Sequence, residues 1–239
     1  MQPGLYVAVS SQVSLERRLD TIADNVANAN TVGFRATGVK FEDLVTGMGQ
    51  NAMSFVSPGS TYLSTAPGAI KHTGNALDFA VKGEAWFGLM TADGPVMTRD
   101  GRFSIREDGM LVSVEGHPVL DAGGAEVILN PAAGTPTVGA DGTLRQNGQI
   151  AGAIGLFDFQ PGLDFRRAGN SAIVPEGDPV PVVDRADVGV MQGYVEGSNV
   201  DPVLEITRLI QVQRAFENVT SMMRDSETAL DEAIRSLGA

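Results

Sequence analysis

His72 and His117 are the first residues to test for chemistry, because imidazole is the usual base and metal ligand near neutral pH. They lie in different segments beside turn residues, and the chain has no cysteine to complete a zinc site with them. Their setting reads as surface loops. Asp78, Glu84, Asp93, Asp100, Glu107 and Asp108 could supply the carboxylate pair of a hydrolase, but most adjoin glycines, and turn chemistry explains them more simply. Gly47-Met48-Gly49-Gln50-Asn51-Ala52 has the spacing of a dinucleotide fingerprint without the strand and helix that give such a loop its function. Asn218-Val219-Thr220 matches a glycosylation acceptor, yet Val219 falls on the apolar face of a helical pattern. No catalytic residue, cofactor-binding group or metal ligand emerges. The residues point away from an enzyme and toward a protein without a cofactor.

Charge and length narrow the class further. The chain has 239 residues, 43% of them hydrophobic, enough for one large domain or two modest ones. With 17 basic against 29 acidic residues the net charge is -12, which disfavours nucleic acid and anionic lipid as partners, since both need basic patches. The absence of cysteine rules out disulfides and thiol catalysis. No basic region followed by an apolar run opens the sequence, and no stretch reaches the roughly 18 apolar residues of a membrane helix. Export, if it occurs, is expected by a route that reads no cleaved signal.

The elements that must position any functional group are two long helices flanking a β-rich middle. Leu5, Ala8, Gln12, Leu15, Leu19, Ile22 and Val26 step by three and four, a narrow seam that predicts a helix from about residue 5 to 28. Such a helix needs a partner to be stable. At the other end Asp201 and Pro202 read as N-cap and first helical residue. From there Ile206, Leu209, Gln213, Phe216, Thr220, Met223, Glu227, Leu230, Ile234 and Leu237 repeat the three-four step. The two helices are expected to pair as a coiled coil, with Gln12, Gln213, Thr220 and Glu227 as polar seam positions that fix register. Asn25, Asn28 and Asn30, with Thr31, form a polar cluster that helix capping explains in part, the rest suiting contacts between subunits.

Between the helices, residues 36–74 are rich in Gly, Ser and Thr and read as a connector. From 75 to 190 the pattern is short strands at 77–81, 85–91, 96–98, 102–105, 110–114, 118–120 and 127–129, separated by Asp93-Gly94, Asp100-Gly101, Asp108-Gly109, Asp141-Gly142 and Asn147-Gly148. This predicts an all-β middle domain, a meander or small barrel. The expected fold is α+β: a helical domain of residues 1–35 and 191–239, with the connector and the β-domain inserted.

Four stretches carry a family resemblance. Leu19-Asp20-Thr21-Ile22-Ala23-Asp24-Asn25-Val26-Ala27-Asn28-Ala29-Asn30-Thr31-Val32-Gly33-Phe34-Arg35 resembles the N-terminal signature of flagellar basal-body rod and hook proteins. Residues 73–87, residues 97–103 and residues 192–217, with Glu196-Gly197-Ser198-Asn199-Val200 and Gln213-Arg214-Ala215-Phe216-Glu217, resemble the family's later signatures in the same order. Ala85-Trp86-Phe87, followed by Gly88, departs from the family, which more often has Gly and Phe there. The resemblance implies a structural subunit of the rod, exported unfolded by the flagellar type III apparatus and assembled in the periplasm. Its implied partners are copies of itself, other axial proteins above and below, and the export apparatus. The implied subunit-packing residues are Leu5, Leu15, Leu19, Ile22, Asn25, Val26, Asn28, Asn30, Ile206, Leu209, Gln213, Phe216, Met223, Leu230 and Ile234. A secreted β-domain binding module capped by helices is the competing expectation.

Overall fold

The computed structural model describes residues 2–41, 43–46, 53–57, 59–183 and 185–237; for residues 2–6, 43–46, 53–56, 230, 231, 233, 234 and 237 it describes the backbone alone. The fingerprint-like stretch at 47–52 therefore lies outside the described residues, as do the side chains of Leu5, Leu230 and Ile234. The architecture is α+β, with two long helices, α1 (Gln2–Ala27) and α2 (Pro202–Leu237), and many short strands between them. Two compact units divide the chain: one of Met1–Ala27, Thr37–Tyr62 and Asp201–Ala239, the other of Asn28–Ala36 and Leu63–Val200.

In the helical unit α1 and α2 pack on each other. Asp201 caps α2: its Oδ1 accepts the N–H groups of Val203 at 3.0 Å and Leu204 at 3.1 Å, with Pro202 at the first helical position, where a missing N–H costs nothing. Ile22 and Asn25 are buried on α1, and Leu15, Leu19 and Val26 are half-buried. On α2 the covered stripe is Glu205, Leu209, Val212, Phe216, Val219 and Met223. It differs from the expected seam at three positions, since Ile206 is 46% exposed and Gln213 and Glu227 are exposed, while Glu205 and Val212 are buried. The reason is local. A step of three or of four from Leu209 reaches neighbouring faces, and the buried one carries Glu205, whose carboxylate accepts Asn25 Nδ2 of α1 at 3.4 Å and Arg208 Nη1 of its own helix at 2.5 Å. The segment read as a connector forms strands: Thr37–Lys40 pairs with Ser60–Leu63, and Asp43–Thr46 runs antiparallel to Met53–Val56.

The second unit is β-rich. Its main sheet has six strands in the order Arg166–Ala168, Ala172–Val174, Gly94–Thr98, Trp86–Thr91, Leu156–Asp158 and Val180–Pro181. The central hairpin is buried on both faces, so its sequence is apolar without strict alternation. Phe87, Leu89 and Val96 point into a core with Phe79, Phe103, Leu111, Val119 and Leu144. Trp86 and Met97 point the other way, onto Leu120, Phe157 and Ile173. Each large side chain so buried stabilises the fold by about 1.5–3 kcal/mol. The unit also gathers residues outside 75–190, because Ile70–His72 pairs with Tyr194–Glu196 and Gly189–Gln192 pairs with Phe79–Lys82.

The turn residues act in two ways. Asn147 and Gly148 both take positive φ, +50° and +79°, the two-residue turn that joins Thr143–Gln146 to Gln149–Ala153. Asp100-Gly101 differs from that expectation. Gly101 has ordinary φ, and its role is space: a Cβ there would come within 1.9 Å of the Phe79 carbonyl oxygen. Asp100 is occupied with Arg102, whose Nε and Nη2 donate to its carboxylate at 2.9 and 2.6 Å. His72 lies on a strand rather than a loop, its ring edge-on to Tyr194 at 4.9 Å. His117 stands beside Glu115 at 3.7 Å, next to a turn.

Candidate functional site

Within the β-rich unit, segments far apart in sequence converge on three buried charges. Arg35 follows the turn after α1, Arg99 directly follows the Gly94–Thr98 strand, and Glu196 ends the Tyr194–Glu196 strand. Arg35 Nη2 lies 2.6 Å from Glu196 Oε1, and Arg99 Nη1 lies 3.2 Å from Glu196 Oε2. The side chains of Arg35, Arg99 and Glu196 are 3%, 5% and 2% exposed. Burying such charges is costly unless each is paired and hydrogen-bonded, and here most of their capacity is met. Arg35 Nη1 donates to the carbonyls of Thr65, at 3.1 Å, and of Ala66. Arg99 Nη2 donates to Gly83 O at 3.0 Å, and Glu196 Oε1 accepts the Gly68 N–H at 2.9 Å.

Aromatic rings complete the setting. The Trp86 ring faces Arg99 at 5.1 Å and Arg35 at 5.9 Å, while Arg167 lies 4.3 Å over Phe34 and donates to the Arg35 carbonyl at 2.6 Å. Burial lowers both guanidinium pKa values, Arg99 to about 10, against the opposing pull of Glu196. At about 10, Arg99 stays charged at neutral pH.

The backbone around this clasp is equally constrained. Gly33 sits at φ +71°, and a Cβ there would lie 2.2 Å from Asp100 N. Its own N–H donates to Glu196 O at 2.8 Å. Asn199 Oδ1 accepts the Ala36 N–H at 2.7 Å, its Nδ2 donates to Ser64 Oγ and Ala66 O, and its N–H reaches Phe34 O at 3.3 Å. All four stretches that carry the family resemblance meet here: Gly33, Phe34 and Arg35; Trp86; Arg99 and Asp100; Glu196 and Asn199. The arrangement holds charges fixed and offers no activated nucleophile or base. Its chemistry is that of a fastener.

The three asparagines of the cluster have different settings. Asn25 pairs with the backbone of Thr37, donating to its carbonyl and accepting from its N–H, both at 2.9 Å. Asn28 caps a turn, its Oδ1 accepting Thr31 Oγ1 at 3.0 Å, and Asn30 is exposed. Leu209, Phe216 and Met223 are half-buried on α2. Sequence reading placed Arg35, Arg99 and Glu196 inside recognisable stretches but assigned them no role. The available signal was weak: isolated charges amid small and apolar residues, lacking a partner of opposite sign at helical spacing.

Comparison with known proteins agrees along the chain. Family models match residues 5–35 (flagella basal body rod protein), residues 80–146 (flagellar hook protein FlgE/F/G D1 domain) and residues 191–236 (flagellar basal body rod FlgEFG protein, C-terminal). The flagellar basal-body rod protein FlgF of Mesorhizobium japonicum is 64% identical over 239 residues, covering 100% of this chain and 99% of its own length. FlgF of Rhizobium meliloti is 55% identical and FlgF of Caulobacter vibrioides 37%, each covering 100% of this chain and 99% of its own length. On that similarity, spanning both helices and the clasp between their flanking segments, the chain belongs to the flagellar basal-body rod protein family.

Proposed function

We propose that this chain is a structural subunit of the proximal rod, FlgF-like, which assembles through its terminal helices and carries torque from rotor to hook. The observation that carries the assembly step is apolar surface left over after α1 and α2 have packed on each other. Val9 and Val13 on α1, and Val203, Leu204, Ile206 and Ile210 on α2, remain at least two-fifths exposed, although an isolated subunit gains nothing from them there. A second helix pair laid against these faces would cover them. Repeated head-to-tail, such contacts give a helical tube rather than a closed dimer.

On this reading the helix pair is a coiled-coil segment of the axial core, and Leu15, Leu19, Ile22, Phe216 and Met223 hold it together. Copies of the chain and other axial proteins above and below are its partners. The flagellar type III apparatus delivers it to the periplasm. The clasp ties the segments that adjoin both helices into the β-rich unit, so load on either helix reaches the same buried charges.

The test is Ile210→Asp, on the exposed face of α2. The purified monomer should keep wild-type unfolding behaviour, because the site is open to water, while rod incorporation and swimming are lost. Normal motility in this variant would refute assembly through that face.

A further inference from the structure

α1 and α2 run antiparallel, because Asn25 near the end of α1 meets Glu205 near the start of α2 at 3.4 Å. At a rise of about 1.5 Å per residue in both helices, Asp24 is then level with Ile206, Asp20 with Ile210 and Val13 with Glu217. Each helix carries a further stripe on its outer side. On α1 it reads Val9, Val13, Glu16, Asp20 and Asp24, all exposed, apolar toward the N-terminus and acidic toward the C-terminus. On α2 it reads Val203, Ile206, Ile210, Gln213 and Glu217, also exposed, and here too only the N-terminal part is apolar. Because the helices are antiparallel, the two apolar patches stand at different levels of the pair, about 20 Å apart along its length.

Resting on the reading of the chain as a rod subunit, we infer that the outer face of α1 in one copy packs on the outer face of α2 in a second copy. The second copy is slid by about 20 Å toward the α1 N-terminus, so that Val9 and Val13 cover Val203, Ile206 and Ile210. The offset follows from charge. Copies set level with each other would place Ile206 on Asp24, Ile210 on Asp20 and Val13 on Glu217, each a carboxylate taken out of water against an apolar side chain, which is costly. The slide brings apolar residues together and carries Asp20 and Asp24 past the first residue of the neighbouring α2, and Glu217 past the first residue of the neighbouring α1. An isologous contact would use one patch twice and leave the other bare. The offset contact covers both patches and repeats without closing.

The chain has no cysteine, so introduced thiols report the contact directly. Val9→Cys combined with Ile206→Cys puts two thiols about 22 Å apart along one helix pair, too far for a bond within a subunit. With this full-length variant expressed in place of the wild-type chain, oxidation of isolated basal bodies should give a ladder of dimers, trimers and larger species. Each single variant should stay monomeric, and the two single variants expressed together should stop at dimers. Swimming and recovery of the double variant in basal bodies test the rod-subunit reading, whereas the ladder tests the pairing. A double variant that swims and gives no ladder overturns the offset contact while leaving the rod reading intact. Dimers from either single variant overturn it in favour of an isologous contact. Should the double variant not enter the rod, oxidation of the purified chain at millimolar concentration decides the matter: a ladder supports the contact and its absence overturns it.

Discussion

Arg35 Nη2 and Glu196 Oε1 stand 2.6 Å apart inside the β-rich unit, joining the segment that follows α1 to the segment that precedes α2. Arg99 completes the cluster from the central hairpin. Because breaking a buried pair leaves an uncompensated charge, Glu196→Gln should destabilise the chain by about 3–5 kcal/mol in urea unfolding. Replacing all three residues with apolar side chains of similar volume should cost much less than the sum of the single changes. Additive losses would show that the three do not act as one unit.

Gly33→Ala tests the close approach beside the clasp. The new Cβ would strain a left-handed residue and collide with the backbone at Asp100. A loss of about 2–4 kcal/mol is expected from strain and overpacking together. Gly148→Ala, at φ +79° but in open space, should cost only the conformational part, and the difference between the two variants measures the collision.

Asn25→Ala removes both hydrogen bonds to the Thr37 backbone and one to Glu205. Buried groups left without partners cost about 1–3 kcal/mol each, so the variant should lose about that much stability and expose the Thr37 amide to faster hydrogen exchange. Unchanged protection at Thr37 would mean that the strand Thr37–Lys40 is held by other contacts.

Acid should loosen one turn before the core. Hydrogen bonds from the Thr143 hydroxyl and N–H lower the Asp141 pKa below the ordinary 3.8. A carboxylate with a depressed folded value contributes stability that is complete above its unfolded pKa and is lost as pH falls through the folded one. Protection at Thr143 should therefore drop below about pH 4, where unfolded Asp titrates, and Asp141→Ala should remove that step. The site is exposed, so global stability should change little.

The helix pair carries a separate prediction. Leu19→Asp or Phe216→Asp would place a charge on a half-buried stripe, costing about 1–3 kcal/mol. Hydrogen exchange should then accelerate along α1 and α2 while residues 75–190 keep wild-type protection. Loss of protection in the β-rich residues as well would mean that the two units unfold together.

The sequence by itself determined the elements whose cause is local. Three-four spacing specified two long helices, and the Asp201-Pro202 pair set the start of α2. Asx-Gly pairs marked several turns of a β-rich middle, and ordered motifs pointed to the family. Only the tertiary structure decided which face α2 turns inward, because residues 205 and 206 lie four and three positions before Leu209 and both satisfy the same spacing, and in the structure it is Glu205 that is buried, beside Asn25. It alone assembled the clasp. Side-chain periodicity records burial within one element, whereas an ion triad drawn from positions 35, 99 and 196 leaves no periodic trace in any of them. The Asp100-Gly101 pair read as a turn, yet Gly101 is required by the nearness of Phe79, which no neighbouring residue reveals.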